Sequence, residues 1–329
     1  MFGKYPLSRL RRNRKNSWIR DIVAETNLSS GDLIYPIFIH GGTEEKIEIS
    51  SMPGVFRFSI KAALEELKHV QSLGIRAINI FPVISQELKS NDCAEGVREG
   101  NLVYTAIATI KDKINDIGII TDLAFDPYTS HGHDGIMING KIDNDETVKQ
   151  LQKQALIFAK AGADMVAPSD MMDGRVKAIR EILDANNYKD VGIISYSAKY
   201  ASCFYGPFRD AVGSKTNIGN SDKSTYQMDF RNSNEAYREV SQDIEEGSDM
   251  IIVKPGLPYL DIVKGITTNF NIPTLVYQVS GEFSMIKAAA QRGWIQEDKA
   301  FYESVLACKR AGASAILTYY AKELAELLN

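Results

Sequence analysis

Residues 147–169 read TVKQLQKQALIFAKAGADMVAPS and contain the unit from which the fold is inferred. Apolar residues recur at helical spacing from Thr147 to Ala161, Gly162 supplies a helix stop signal, and the apolar stretch 165–169 resembles a buried strand. A helix that ends at a glycine and is followed at once by an apolar strand is typical of a parallel sheet covered by helices.

The same unit recurs along the 329-residue chain. Candidate strands lie at 33–39, 77–83, 118–125, 165–169, 192–198, 250–254, 274–279 and 315–320. Helical patterns separate them, and further glycine stop signals stand at Gly74, Gly247 and Gly312. The number and spacing of these units predict an α/β fold, a (β/α)8 TIM barrel over residues 33–329. A doubly wound open sheet is the alternative.

The composition is that of a globular chain, with 44% apolar and 24% charged residues, which excludes disorder and collagen. The three cysteines are widely spaced and form neither a disulfide framework nor a CxxC zinc motif, which favours a reducing compartment. No apolar run is long enough to span a membrane. We therefore expect a cytoplasmic protein that does not associate with membranes.

Residues 1–32 are predicted to form an N-terminal arm. The first 20 residues carry seven Lys or Arg and no acid, although the whole chain has a net charge of −4. A basic segment can bind nucleic acid or a membrane surface, act as a transit peptide, or contact an acidic neighbouring subunit. Because Trp18, Ile19 and Ile22 could pack on a protein surface, we favour a role in oligomerisation over nucleic-acid binding.

The sequence contains no complete nucleotide-binding motif. Gly135–Lys141 resembles a phosphate-binding loop, but Ile142 stands where a hydroxyl residue is needed, and no GxGxxG follows a strand. Hydride and phosphoryl transfer therefore have no support.

Two lysines end consecutive candidate strands, Lys199 after 192–198 and Lys254 after 250–253, and both would project into the same end of the barrel if these strands are neighbours in the sheet. In a barrel the active site lies at the carboxyl ends of the strands. Two ammonium groups there would each lower the pKa of the other, and a neutral amine can form a Schiff base with a ketone. The alternative is a lysine that reaches from the end of a strand into solvent.

A long irregular segment within 200–234 is predicted to form an active-site lid, since such loops in compact domains are usually functional or disordered. It carries Arg209, Lys215, Lys223 and Arg231, which would suit the carboxylate of an anionic ketone. The alternative is a solvated surface loop.

The loop from Asp122 to Gly135 contains three aspartates and two histidines. Asp122, Asp126 and Asp134 could hold Mg²⁺, which prefers oxygen ligands. Alternatively, such residues fix the shape of the loop through backbone hydrogen bonds. The sequence leaves both interpretations open.

Several longer motifs resemble those of the porphobilinogen synthase (δ-aminolevulinic acid dehydratase) family. They are MPGV (52–55), YTSHGHDG (128–135), SYSAKYASCFYGPFRDA (195–211), YQM (226–228), VKPG (253–256), YLDI (259–262) and YQVSGE (277–282). The resemblance runs from about Arg9 to the C-terminus. It implies a lyase that condenses two molecules of 5-aminolevulinate to porphobilinogen with loss of two waters, an early step of tetrapyrrole and heme biosynthesis.

The resemblance also implies roles for individual residues. Lys254 would form the Schiff base with the first substrate, and Lys199 would engage the ketone of the second. The implied binding groups are Ser280 and Tyr319 for the first carboxylate, Asp122 and Ser169 for the first amino group, and Arg209, Lys223 and Gln227 for the second carboxylate. A class I aldolase would also need an imine lysine, but it would not need two lysines and two carboxylate sites.

Metal use and assembly are further implications of the resemblance. Zinc-dependent relatives carry cysteines where this chain has Ala124, Asp126 and Asp134, so we expect no catalytic zinc. The chain is similar to the zinc-independent, magnesium-stimulated branch, in which Glu239 would hold an allosteric Mg²⁺. Asp126 and Asp134 are weaker candidate ligands. The expected assembly is a homo-octamer, with a hexamer as the alternative, in which the arm contacts a neighbouring barrel.

Overall fold

The computed structural model describes residues 3–213 and 223–329. The strands in this part of the chain are β1 (Leu33–His40), β2 (Lys46–Glu48), β3 (Phe56–Phe58), β4 (Ala77–Val83), β5 (Gly118–Leu123), β6 (Ile136–Ile138), β7 (Lys141–Asp143), β8 (Met165–Pro168), β9 (Gly192–Lys199), β10 (Met250–Lys254), β11 (Thr274–Gln278) and β12 (Ala315–Thr318).

The α-helices of the same residues alternate with the longer strands. They are α1 (Ser17–Ile22), α2 (Ile60–Ser72), α3 (Leu102–Lys113), α4 (Asn144–Ala161), α5 (Arg175–Ala185), α6 (Gly206–Ala211), α7 (Asn234–Glu245), α8 (Leu260–Asn269), α9 (Ser280–Gln291), α10 (Glu297–Ala311) and α11 (Ala321–Leu328). In the described residues, none of these helices has the length and apolar character needed to cross a membrane.

The eight long strands form a closed parallel barrel in the order β1, β4, β5, β8, β9, β10, β11 and β12, and β12 pairs with β1. This confirms the predicted (β/α)8 barrel and excludes the open sheet. All eight residues of β1 are buried, because the barrel interior covers one face and the helices cover the other. The short strands β2 and β3 extend the sheet beside β1, and β6 and β7 form a separate hairpin.

The helix stop signals have the backbone geometry that the sequence requires. Gly162 follows α4 with φ of 103°, and Gly312 follows α10 with φ of 118°. Only glycine adopts this left-handed conformation without steric cost, so each helix ends there and the chain turns into the next strand. The sequence 135–142, which resembles a phosphate loop, instead spans β6, a turn at Asn139 and Gly140, and the start of β7.

The described residues 200–213 of the predicted lid are more regular than the sequence indicated. A 3₁₀ turn at Cys203–Tyr205 leads into α6, and the chain then passes through Gly213. Residues 214–222, including Lys215, lie outside the described part of the chain. The predicted strand 315–320 is also shorter, because Thr318 ends β12 and Tyr319 lies beyond it.

In the predicted arm, residues 3–27 include no buried residue, whereas Leu28 is buried and Asp32 pairs with Lys309 of the barrel. A 3₁₀ helix at Leu10–Arg14 and α1 contain no buried residue. Trp18 is 61% exposed and Ile22 is 73% exposed. Large apolar side chains on a free surface suit contact with another protein.

A buried ion cluster joins two helices to the barrel wall. Arg175, at the start of α5, donates from Nη2 to Asp243 of α7 at 3.3 Å and to the Ser195 hydroxyl of β9 at 3.2 Å. Its Nε lies 3.7 Å from Asp170. Because Arg175 is only 1% exposed, loss of its guanidinium would leave Asp170 and Asp243 buried without their counter-ion.

We therefore predict that Arg175→Met lowers the free energy of unfolding by about 3–5 kcal/mol, the usual cost of breaking a buried pair from one side. Urea denaturation at fixed protein concentration measures the change. Arg76→Met is the control, since Arg76 pairs with Asp116 on the exposed surface and its loss should cost about 1 kcal/mol or less. Equal effects of the two substitutions would contradict the prediction.

Candidate active site

The two predicted lysines end neighbouring strands at the same height. β9 and β10 pair in parallel, and Lys199 is the direct register partner of Lys254. Both side chains are buried, with exposed fractions of 5% and 6%. The condition on which the Schiff-base prediction depended, that the two strands are neighbours, is therefore confirmed.

The Lys254 ammonium lies among aromatic rings. Its Nζ is 4.7 Å from the ring centre of Tyr277, and between 5.2 and 5.3 Å from those of Tyr196, Tyr205 and Phe208. Burial, followed by the positive charge of Lys199, lowers the pKa of Lys254 to about 7. A substantial fraction of this amine is thus neutral near pH 7 and able to act as a nucleophile.

Asp122 and Ser169 lie at the same end of the barrel. Burial raises the pKa of Asp122 to about 7, although the charges of Lys254 and Lys199 and a hydrogen bond from Ser169 act in the opposite direction. The Oδ1 atom of Asp122 has no hydrogen-bond partner among the described residues. A carboxyl group of this kind can exchange a proton near neutral pH.

Lys199 and Lys223 both lie close to Asp134 Oδ2. Lys199 donates to the backbone oxygen of Ser169, and its Nζ lies 3.9 Å from Asp134 Oδ2. Lys223 Nζ lies 3.0 Å from Asp134 and 3.1 Å from Asp126. These opposite charges hold the pKa of Asp134 below its usual value, against the effect of burial.

The predicted metal loop does not fit a divalent ion in this arrangement. Lys223 places its ammonium between Asp126 and Asp134, where an ion bridging the two carboxylates would meet a like charge. The side chain of Ala124 offers no ligand atom. Within residues 3–213 and 223–329, no cluster of three or more His, Cys, Asp or Glu side chains is arranged to hold a metal.

The histidines of this loop take part in local hydrogen bonds. The His133 backbone N–H donates to His131 Nδ1 at 3.2 Å, and Tyr226 bonds through its hydroxyl to the His133 ring at 3.0 Å. Burial lowers the pKa of His131 to about 4, which keeps it neutral at pH 7. These contacts favour the interpretation in which the loop residues fix its shape.

The predicted carboxylate-binding residues fall into two groups. Ser280, at the start of α9, accepts the Phe208 N–H at 2.9 Å, and Tyr319 shares a 2.6 Å hydrogen bond with Tyr277. Both residues are buried beside the rings that surround Lys254. Arg209 lies on α6, and Gln227 lies in the segment after the undescribed residues. The Gln227 backbone N–H donates to Lys223 O at 2.9 Å.

Glu239 lies away from the strand-end lysines Lys199 and Lys254. It lines a cavity of about 740 Å³ together with Glu235, Asp173 and Gln227. Burial and neighbouring carboxylates, chiefly Asp243, raise the pKa of Glu239, although Arg175 acts in the opposite direction. Three carboxylates and Lys141 line this cavity, which could accept a hydrated Mg²⁺, because that ion keeps several waters and needs one or two carboxylates.

Sequence reasoning missed the rings around Lys254. Tyr196 was buried within a candidate strand, and Tyr205 and Phe208 lay in a predicted lid, so nothing in their spacing indicated that they meet. Glu282 ends the motif YQVSGE, but the family resemblance implied no role for it. Strand alternation alone could not have placed Tyr196 beside the lysines, because it puts residues 196 and 199 on opposite faces, and the register between β9 and β10 is irregular.

Comparisons with known proteins agree with this geometry. A family model described as delta-aminolevulinic acid dehydratase matches residues 7–327. The chain belongs to the delta-aminolevulinic acid dehydratase family. Named members of the family include proteins from Bradyrhizobium diazoefficiens (52% identity, 97% of this chain and 90% of the relative) and Methanothermus sociabilis (50% identity, 98% and 99%). A chloroplastic relative from Glycine max is 49% identical over 97% of this chain and 77% of its own length.

A solved structure supports the same assignment. The Toxoplasma gondii delta-aminolevulinic acid dehydratase, crystallised with its reaction product porphobilinogen, superimposes with a TM-score of 0.95 at 49% identity, covering 97% of this chain and 91% of that chain. The function of this chain is that of a porphobilinogen synthase, a hydro-lyase that joins two molecules of 5-aminolevulinate.

We predict that Lys199→Met raises the pKa of Lys254, because the substitution removes the neighbouring positive charge that helps to lower it. The pH midpoint for reductive alkylation of Lys254 by a small ketone, read by peptide mass spectrometry, should move upward toward the ordinary lysine value of ~10.4.

Lys287→Met is the control for this experiment, since Lys287 is a largely buried lysine that pairs with Glu297 and does not contribute to the pKa of Lys254. An unchanged or lower midpoint in Lys199→Met would contradict the prediction.

Proposed function

We propose that Lys254 forms the Schiff base with the ketone of the first 5-aminolevulinate. The observation that carries this proposal is the register pairing of Lys199 with Lys254 at a buried strand end, where the pKa of Lys254 is lowered to about 7. The neutral amine adds to the carbonyl carbon, and the resulting carbinolamine loses water to form an imine.

Asp122 assists at the same centre. Loss of the carbinolamine hydroxyl as water requires a proton, and a carboxyl with a pKa of about 7 can supply one near neutral pH. Asp122 and Ser169 also face the amino group of the first substrate. Ser280 and Tyr319 hold its carboxylate, since both present hydroxyl groups beside the rings around Lys254.

The second substrate binds beside Lys199, which engages its ketone. Arg209, Lys223 and Gln227 hold its carboxylate. The Lys223 ammonium has three N–H donors, and Asp126 and Asp134 account for two of its contacts. Counting the described residues alone, one donor is therefore left, and a substrate carboxylate that accepts from it would extend the ion cluster of Lys223, Asp126 and Asp134.

Members of the family are in general metal-dependent, and for this chain we propose Mg²⁺ at Glu239 and no catalytic zinc. The ammonium of Lys223 at Asp126 and Asp134, and the alanine at 124, support the second part. Mg²⁺ bound at Glu239 would add positive charge to its cavity. Tyr226 and Gln227 line that cavity, and Tyr226 also contacts His133, so the cavity adjoins the segment that carries Lys223.

The proposed assembly is a cytoplasmic homo-octamer, with a hexamer as the alternative state. The exposed Trp18 and Ile22 and the basic residues before them support contact between the arm and the acidic remainder of another copy. Neither nucleic acid nor a membrane is a proposed partner.

We predict that Lys254→Arg lowers kcat by about 10³-fold or more, because arginine keeps the charge but cannot form the imine. Borohydride trapping with labelled 5-aminolevulinate and peptide mapping measure the covalent step. The wild type should carry the label on Lys254 and the variant should carry none there, whereas the buried-lysine control Lys287→Arg should behave as the wild type. Label absent from Lys254 in the wild type would overturn the proposed function.

For the metal, we predict that Glu239→Ala weakens the apparent affinity for Mg²⁺ by about 10-fold or more, because it removes a carboxylate from the cavity. Activity and particle size are measured against Mg²⁺ concentration, with Glu245→Ala on the exposed face of α7 as control. Wild-type activity should survive a zinc-selective chelator. Inhibition by the chelator that zinc reverses, or normal Mg²⁺ dependence in Glu239→Ala, would contradict the proposal.

A further inference from the structure

Glu282, in the first turn of α9, has an unusual environment for a carboxylate. Its side chain is fully buried, and its described hydrogen-bond partners are three backbone N–H groups. Oε2 accepts from Val279 at 2.8 Å and from Gly256 at 3.1 Å, and Oε1 accepts from Leu257 at 2.6 Å. Several amides that converge on one anion form a rigid binding site for it.

Burial of this carboxylate carries a cost that its hydrogen bonds only partly offset. Burial raises the pKa of Glu282 to about 7, although the three N–H groups act in the opposite direction. An apolar residue of similar size would avoid the cost, but it would leave the three amides without acceptors. The role of the Glu282 carboxylate therefore follows from which residues supply these three amides.

Two of the three amides belong to the chain immediately after Lys254. Gly256 and Leu257 follow that lysine by two and three residues. On the other side, the Lys254 backbone oxygen accepts from the Tyr200 N–H at 3.0 Å and from the Tyr205 hydroxyl at 3.2 Å. The main chain is thus fixed at the lysine by tyrosines and directly after it by Glu282.

Gly256 shows how closely this segment is packed. A Cβ at this position would lie 2.9 Å from Val276 Cγ1 and 3.2 Å from the Tyr277 backbone oxygen. Tyr277 is also the ring closest to the Lys254 ammonium. A small displacement of the segment would therefore move both the lysine and one of the rings around it.

The first turn of α9 also contacts the segment after β9. Ser280 accepts the Phe208 N–H, and a Cβ at Gly281 would overlap the Phe204 backbone oxygen. Phe208 and the neighbouring Tyr205 are two of the rings around Lys254. One helix turn thus fixes the backbone beside the lysine and part of its aromatic surroundings.

We infer that Glu282 is a positioning residue for Lys254, acting through the backbone amides of Gly256 and Leu257 to hold the amine among its aromatic rings. This inference rests on the proposed role of Lys254 as the imine-forming lysine. Glu282 itself is not assigned any contact with the substrate.

Glu282→Gln removes one acceptor and places an NH₂ group against a backbone N–H, so at least one amide loses its partner. We expect kcat to fall by about 10–100-fold, since small displacements of a reacting group cost up to about 10² in rate. KM should change less than kcat. The pH midpoint for borohydride trapping of 5-aminolevulinate on Lys254 should move upward, because a less confined amine is better solvated and keeps its proton.

The control is Glu323→Gln on α11, another largely buried carboxylate, whose position lies outside the site. Gly256→Ala is a second test variant. It keeps the carboxylate but displaces the same segment, and it should produce the same upward shift. If Glu282→Gln fails to fold by circular dichroism, Gly256→Ala decides the question.

The possible outcomes distinguish the positioning role of Glu282 from the proposed Schiff base on Lys254. Trapping at Lys254 with an unchanged pH midpoint, and kcat within about twofold of wild type in the folded variants, would overturn the positioning role and leave the Schiff base intact. Absence of trapping at Lys254 in the wild type would instead overturn the proposed function itself.

Discussion

Two lysine side chains lie at the same buried end of the barrel. The placement of two ammonium groups there is the constraint to which the other site residues respond. Lys199 and Lys254 are register partners on adjacent strands, so closure of the barrel brings their ammonium groups to the same height. Full ionisation of both in a low-dielectric environment is unfavourable. Lys254 loses part of its charge near pH 7, while Asp134 lies close to Lys199. Burial and the repulsion between the two amines together lower the pKa of Lys254 and so make this amine reactive.

The two lysines differ because their surroundings differ. Lys254 is enclosed by aromatic rings, which exclude water but offer no full negative charge. Lys199 has a carboxylate and a backbone oxygen within reach. Lys223 adds a third cation and contacts both Asp126 and Asp134. These ammonium groups hold the pKa of Asp134 low, whereas burial and the neighbouring Asp134 raise the pKa of Asp126.

The sequence predicted the fold because the decisive signals were local. Gly162 and Gly312 stop helices through backbone geometry, and the strands that follow them, Met165–Pro168 and Ala315–Thr318, are mostly apolar. Individual site residues were predictable where they follow the end of a strand, as Lys254 and Ser280 do, and where the family motifs include them. Lys223 was expected to bind a substrate carboxylate, but its contacts with Asp126 and Asp134 join residues about 90 positions apart. No periodicity within the sequence reports a contact of that kind.

The sequence by itself determined the eight repeated units, the residue types at the strand ends and the absence of cysteine at 124, 126 and 134. Only the tertiary structure decided which of these groups touch. It placed Lys223 between two aspartates, gathered Tyr196, Tyr205, Phe208 and Tyr277 around one amine, and directed Glu282 to the amides after Lys254. The physical reason is that charge states depend on burial and on distances of a few ångström, and both arise only when the barrel closes.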